Sequence, residues 1–142
     1  MSQIVDTLLD TQELEIFSTA IQIAGLDKTL DNIGNFTIFA PNNRAFTRLP
    51  KLTLQSLSQN VSLLITTLSN HIVYGKLRHQ YLLKMYDLGK RTIVRTSIDG
   101  LRLTIDLNNG IAIDKSSVLS VGKSTDKAIV YSIDRVIMTV SS

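Results

Sequence analysis

No cysteine occurs among the 142 residues, so neither a disulfide nor a thiolate metal site can staple this chain, and packing has to supply its stability. Tryptophan is absent, proline occurs twice and aromatic residues make up 6%. No run approaches the ~18 consecutive apolar residues of a membrane-spanning helix. The opening MSQIVDTLLDTQELE has no basic stretch and no long apolar core, so it does not read as a leader peptide, and as written the chain reads as cytoplasmic. Two histidines, His71 and His79, with seven residues between them and no cysteine make no metal site. Asp99, Asp106, Asp114 and Asp126 are not spaced as a calcium loop. No metal and no cofactor is expected.

What is present suits one globular domain over residues 1–142. An apolar fraction of 44% is near the globular norm, and a chain this long buries roughly 68–70% of its unfolded surface. The net charge of +3 hides a gradient. Residues 1–43 carry six acidic groups against Lys28, a balance of −5. Residues 76–95 carry Lys76, Arg78, Lys84, Lys90, Arg91 and Arg95 against Asp87, a balance of +5. Such asymmetry favours an anionic partner or head-to-tail self-association.

The first half reads helical. Phe17, Ala20, Ile21 and Ala24 recur at helical spacing, with Gly25 as the stop. The run FTIFAP then changes period: Phe36, Ile38 and Ala40 point one way, Thr37 and Phe39 the other, as in a strand covered on both faces. Pro41 ends its pairing. Asn42 caps a helix with Ala45, Phe46 and Leu49 as its apolar stripe, ended by Pro50. A short helix is expected from Thr53, and a longer one from a second cap, Asn60, through Leu64, Leu68, His71 and Ile72 to about Gly75.

The second half reads as strands at residues 92–96, 101–106, 111–113, 118–121, 128–133 and 136–140, with turns at Asp99–Gly100 and Asn109–Gly110. Helices first and a meander of strands after is an α+β order: helices packed on a twisted, mostly antiparallel sheet built largely from the C-terminal half.

Three boxes in this order resemble those of the fasciclin domain family. FTIFAPNNRAF resembles its T-x-F-A-P-T-N-x-A-F, NHIVYGKL its Y-H-V-V-x-G-K-L, and IVYSIDRVIM its I-H-V-I-D-x-V-L. The resemblance runs from IVDTLL over essentially the whole chain, and carries over as structural positions Phe36, Phe39, Pro41, Asn42, Phe46, His71, Gly75, Ile133, Asp134 and Val136. Asn70 stands where the family's Tyr-His pair has tyrosine, Tyr131 where the last box has histidine, Asn42 in place of threonine, and Arg44 where an acidic residue is common. Relatives are mostly extracellular or cell-surface modules for adhesion and matrix binding. In some animal members the Tyr-His region is associated with integrin recognition; only His71, Ile72 and Val73 match it here, so integrin binding is not carried over. Some algal relatives carry carotenoids.

Other motifs fall short of chemistry. GKST at Gly122–Thr125 imitates a phosphate-binding loop but has Ser117 where its first glycine belongs, and a strand rather than a helix follows. No serine sits in a G-x-S-x-G elbow, and His71, on an apolar face, reads as a hydrogen-bonded core residue. Tyr81 and Tyr86 interleave with cations as in nucleic-acid binders, but Leu82, Leu83, Met85 and Leu88 make 76–95 read as a solvated connection that packs, and nucleic acid is not expected. The resemblance implies a non-enzymatic interaction module in cell adhesion or matrix binding. The expected partner is a protein or a cell-surface polysaccharide, contacted through Asn70, His71, Ile72, Val73, Lys84, Lys90 and Arg91. The alternative is a carrier of an apolar ligand such as a carotenoid.

Overall fold

Phe36–Pro41 forms β1, every residue of it buried, and the rest of the molecule is arranged around that strand. The computed structural model describes residues 3–108 and 110–138, with 121–123 described by backbone alone. Among these residues seven helices and one seven-stranded sheet are present. Helices α1 (Gln3–Leu9), α2 (Glu15–Ile23) and α3 (Leu26–Asn32) precede β1. Helices α4 (Asn43–Thr47), α5 (Lys51–Gln59) and α6 (Val61–Ser69) follow it, then β2 (Ile72–Tyr74) and α7 (His79–Asp87). The remaining strands are β3 (Thr92–Thr96), β4 (Arg102–Asp106), β5 (Ala112–Ile113), β6 (Ser116–Ser124) and β7 (Ala128–Ile133).

The sheet order is β2-β1-β7-β6-β5-β4-β3. Only β1 and β7 pair in parallel, from Phe36 opposite Ala128 to Pro41 opposite Ile133; the other pairs are antiparallel. Pairing with β7 ends at Pro41 as expected: the Asn42 N–H gives the last bond, to Ile133 O at 3.0 Å, and its side chain turns to a new helix. Asn42 Oδ1 accepts the Ala45 N–H at 2.8 Å, and Asn60 Oδ1 that of Leu63 at 3.1 Å, so both expected caps are made. Gly25, at φ 73°, sits in the left-handed conformation that closes α2.

Two cores flank the sheet. Phe36, Ile38 and Ala40 join Leu8, Phe17, Ile21, Leu30 and Leu68 under the helices. Phe39, on the opposite face, joins Leu82, Leu103, Ile105, Tyr131 and Ile133. Burying both faces is why the FTIFAP run carries bulk at nearly every position.

Three elements differ from the sequence expectation. The helix from Asn60 ends at Ser69, not near Gly75: Ile72–Tyr74 pairs with β1, a use of β-branched and aromatic residues that tertiary pairing decides over local period. Residues 79–87, expected as a solvated connection, form α7, whose Leu82 is buried against the second core. The strand expected at 136–140 is absent over 136–138, where the chain instead gives the Ile137 amide to a histidine ring; its last two residues lie outside the described ones. The expected Asn109–Gly110 turn lies between β4 and β5, with Asn109 also outside them. The β5–β6 turn, which the sequence did not reveal, places Asp114 and Lys115 at φ 45° and 73°.

Candidate functional site

The four residues expected at a contact surface between α6 and β2 lie inside. Asn70, His71 and Ile72 are 0% exposed and Val73 1%. His71 shows why: its Nδ1–H donates to Thr67 O at 2.8 Å, and its Nε2 accepts the Ile137 N–H at 2.8 Å. With both ring nitrogens used, one neutral tautomer is fixed. The Phe17 and His71 rings pack edge to face, their centroids 6.2 Å apart and their planes at 70°. Burial pushes the imidazole down to about 4, because the charged form would be desolvated. This histidine is a structural joint, and Asn70–Val73 present no side-chain surface to a partner.

The cations fare differently. Lys84, Lys90 and Arg91 are exposed on α7 and the turn into β3. The Arg91 guanidinium lies over the Tyr86 ring at 4.3 Å, and Arg95 reaches Tyr81 at 5.9 Å while donating to its hydroxyl at 3.0 Å. Helix α7 thus lays its tyrosines against Arg91 of the turn and Arg95 of β3, making one face of alternating cation and ring. The sequence supplied the residue types; the pairing needed the helix.

The other face of the molecule carries an apolar groove of about 400 Å³ between α2, α4, α5 and α6. Ile16, Ala20 and Ile23 form one wall, Leu54 and Val61 the other, with Phe46 at the floor. Ile23 is 65% exposed and Val61 54%. Glu15 stands at its rim, where a hydrogen bond from Asn43 Nδ2 at 2.7 Å lowers its pKa. Asn43 Oδ1 also accepts the Ile16 N–H at 3.0 Å, so it serves as the cap that α2's own N-cap residue, Leu14, does not supply, a role invisible in the sequence.

The family-box residues hold structure together. Pro41 and Phe46 are buried, Gly75 adopts φ 88° at the end of β2, and Ile133 is 0% exposed. Asp134 accepts the Ser117 N–H at 2.8 Å and so ties the end of β7 to the start of β6. Val136 packs against the helical core. Thr37, not singled out in the sequence, donates to Gly75 O at 2.7 Å and accepts the Leu77 N–H at 2.9 Å, fixing the GKL turn. Among the described residues no group of three His, Asp or Glu side chains could hold a metal ion, and no helix is long and apolar enough to cross a membrane.

The family model for the fasciclin domain matches residues 12–139. The chain belongs to the fasciclin domain family. It is 30% identical over 138 residues to protein sll1735 of Synechocystis, covering 97% of this chain and 98% of that one. It is 33% identical over 108 residues to immunogenic protein MPB70 of Mycobacterium bovis, 75% of this chain but 51% of the relative. It is also 29% identical over 136 residues to the transforming growth factor-beta-induced protein ig-h3 of Oryctolagus cuniculus, 94% of this chain and 19% of that protein. Among solved structures, a fasciclin domain pair from the insect cell adhesion molecule Fasciclin I superposes with a TM-score of 0.67 at 14% identity, covering 88% of this chain and 45% of that one. Fasciclin domains are a non-enzymatic, adhesion-type family whose members include cell-adhesion and matrix-binding proteins. In this member Tyr131 takes the place of the last-box histidine: its ring stacks on Phe39 at 5.5 Å and its hydroxyl donates to Leu77 O.

Proposed function

We propose that this fasciclin domain is a non-enzymatic adhesion or matrix-binding module whose contact surface is the basic, aromatic face of α7 and β3. The observation that carries the reading is the ordered alternation of cations and rings there, Arg91 on Tyr86 and Arg95 on Tyr81, beside exposed Lys84 and Lys90. Such a face offers charge to an acidic partner and flat apolar area to hold it. The adhesion role named for the insect relative supports the same reading. The test is retention on surfaces coated with matrix protein or with sulfated polysaccharide at physiological salt. Wild type is retained, and the triple variant Lys84→Glu, Lys90→Glu, Arg91→Glu is not. Equal retention of the two overturns this surface assignment.

A second reading, a carrier of an apolar ligand such as a carotenoid, rests on the groove between α2 and α4–α6, whose walls keep Ile23 and Val61 more than half exposed. Mixing with a carotenoid followed by gel filtration checks it. A coloured protein peak that Ile23→Glu abolishes supports the carrier, and a colourless peak removes it.

A further inference from the structure

Helix α7 does not close on the sheet beneath it. Its residues His79, Leu82, Leu83 and Tyr86, spaced as one helical stripe, face Leu107 and Ile111 from the β4–β5 connection and Val118, Leu119 and Ser120 of β6 across a cleft of about 440 Å³. That volume lies within the roughly 300–1,000 Å³ typical of small-molecule sites. The walls are mostly hydrocarbon: Leu82 and Leu107 are buried deep, while Leu83 and Leu119 stand half exposed at the mouth. Four of the lining side chains carry polar atoms, namely His79, Tyr86, Asn108 and Ser120. The Ser120 hydroxyl is spent on Ser132 Oγ at 3.2 Å. His79 Nδ1 is shut off from solvent and has no hydrogen-bond partner among the described residues. It also lies in the segment 76–95, where six cations stand against Asp87 alone.

We infer that this cleft binds a small amphiphile, a single alkyl chain ending in a carboxylate. The chain lies along the α7 stripe and the β6 wall, where Leu83 and Leu119 exchange water for hydrocarbon on binding. The carboxylate meets the accessible edge of the half-buried His79 ring, since its sealed Nδ1 is out of a ligand's reach. The net positive charge of segment 76–95, which supplies α7, favours an acid over a neutral or cationic head of the same length. The site is distinct from the groove between α2 and α4–α6, on other elements and with other walls.

The experiment titrates the whole domain with dodecanoate, dodecanol and dodecyltrimethylammonium, each below its micelle concentration. It follows backbone amide shifts together with calorimetry. Dodecanoate binds saturably and moves amides of α7 and β6; dodecanol binds about tenfold more weakly, the worth of one charge-assisted hydrogen bond. His79→Leu abolishes that preference, and His79→Gln, which keeps a donor, retains part of it. Ser120→Trp fills the cleft and blocks both ligands; Leu83→Glu, which places a charge at the mouth, does the same should the tryptophan variant fold poorly. No saturable binding, an acid preference unchanged in His79→Leu, or shifts confined to α2, α5 and α6 each overturn the inference. The last of these outcomes would instead favour the carrier groove.

Discussion

The backbone N–H of Ile137 donates to Nε2 of His71 at 2.8 Å, joining positions 66 residues apart in the chain. The same ring gives its other nitrogen to Thr67 at the end of α6, so one imidazole ties the segment after β7 to the junction of α6 and β2. Only the neutral ring can do this, since protonated Nε2 has no lone pair for Ile137.

Stability therefore depends on acidity. The unfolded chain takes up a proton at the ordinary histidine value of 6.5, whereas the folded chain resists until about 4. Stability falls as pH drops through that window and levels off beneath it, by about 3 kcal/mol from this group. Urea unfolding of wild type and His71→Gln checks the point. The variant is less stable by roughly 2–4 kcal/mol at neutral pH, and the gap narrows near pH 4. A gap independent of pH would refute the linkage.

Tyr131 makes a second buried polar joint. Tyr131→Phe leaves Leu77 O without its donor and costs about 1–3 kcal/mol. Burial pushes the phenol up to about 12, because the phenolate would be desolvated. The ultraviolet difference titration between wild type and variant should show one ionisation near that pH. A difference centred on the ordinary value of 10.0 would show the ring to be solvated.

The two asparagine caps differ in setting. Asn42 is 8% exposed, whereas Asn60 is open to solvent. Asn42→Ala costs about 1–2 kcal/mol, and Asn60→Ala nearer 0.5, in chemical unfolding. Asn42→Ser or Asn42→Asp restores most of the loss; failure of both to do so would mean that the amide matters for something other than capping.

Phe36 and Phe39 belong to different cores although three positions apart. Phe36→Leu and Phe39→Leu each cost about 1 kcal/mol, and the double variant costs their sum to within about 0.5 kcal/mol. Phe39→Leu combined with Tyr131→Leu departs from additivity, because those rings stack. Coupling in the first pair as large as in the second would contradict the two-core arrangement.

How far the sequence could be read follows from the same residues. The buried strand and its cap were legible because Pro41 and Asn42 act locally, through a missing donor and a side-chain acceptor. Strand β2 was not, because Leu64, Leu68 and Ile72 continue at helical spacing, and only pairing with β1 turns Ile72–Tyr74 into a strand. Helix α7 carries its signal in the helical spacing of His79, Leu82, Leu83 and Tyr86, which the six cations of 76–95 outweigh when charge is read first. At the candidate site the cations were readable by charge alone. Burial of Asn70–Val73 was not, since it depends on Ile137 returning from the far end of the chain to occupy His71.

The parallel seam between β1 and β7 places residue 36 beside residue 128, between the second and third of the seven strands. On a ribosome, therefore, the most apolar strand of the first half emerges long before its neighbour exists. Contacts so distant along the chain slow the search for the native topology, and an unpaired apolar strand invites wrong partners meanwhile. Nascent fasciclin chains of this design should lean on holding factors until the last strand clears the exit tunnel, and a truncation just before Ala128 should aggregate rather than fold.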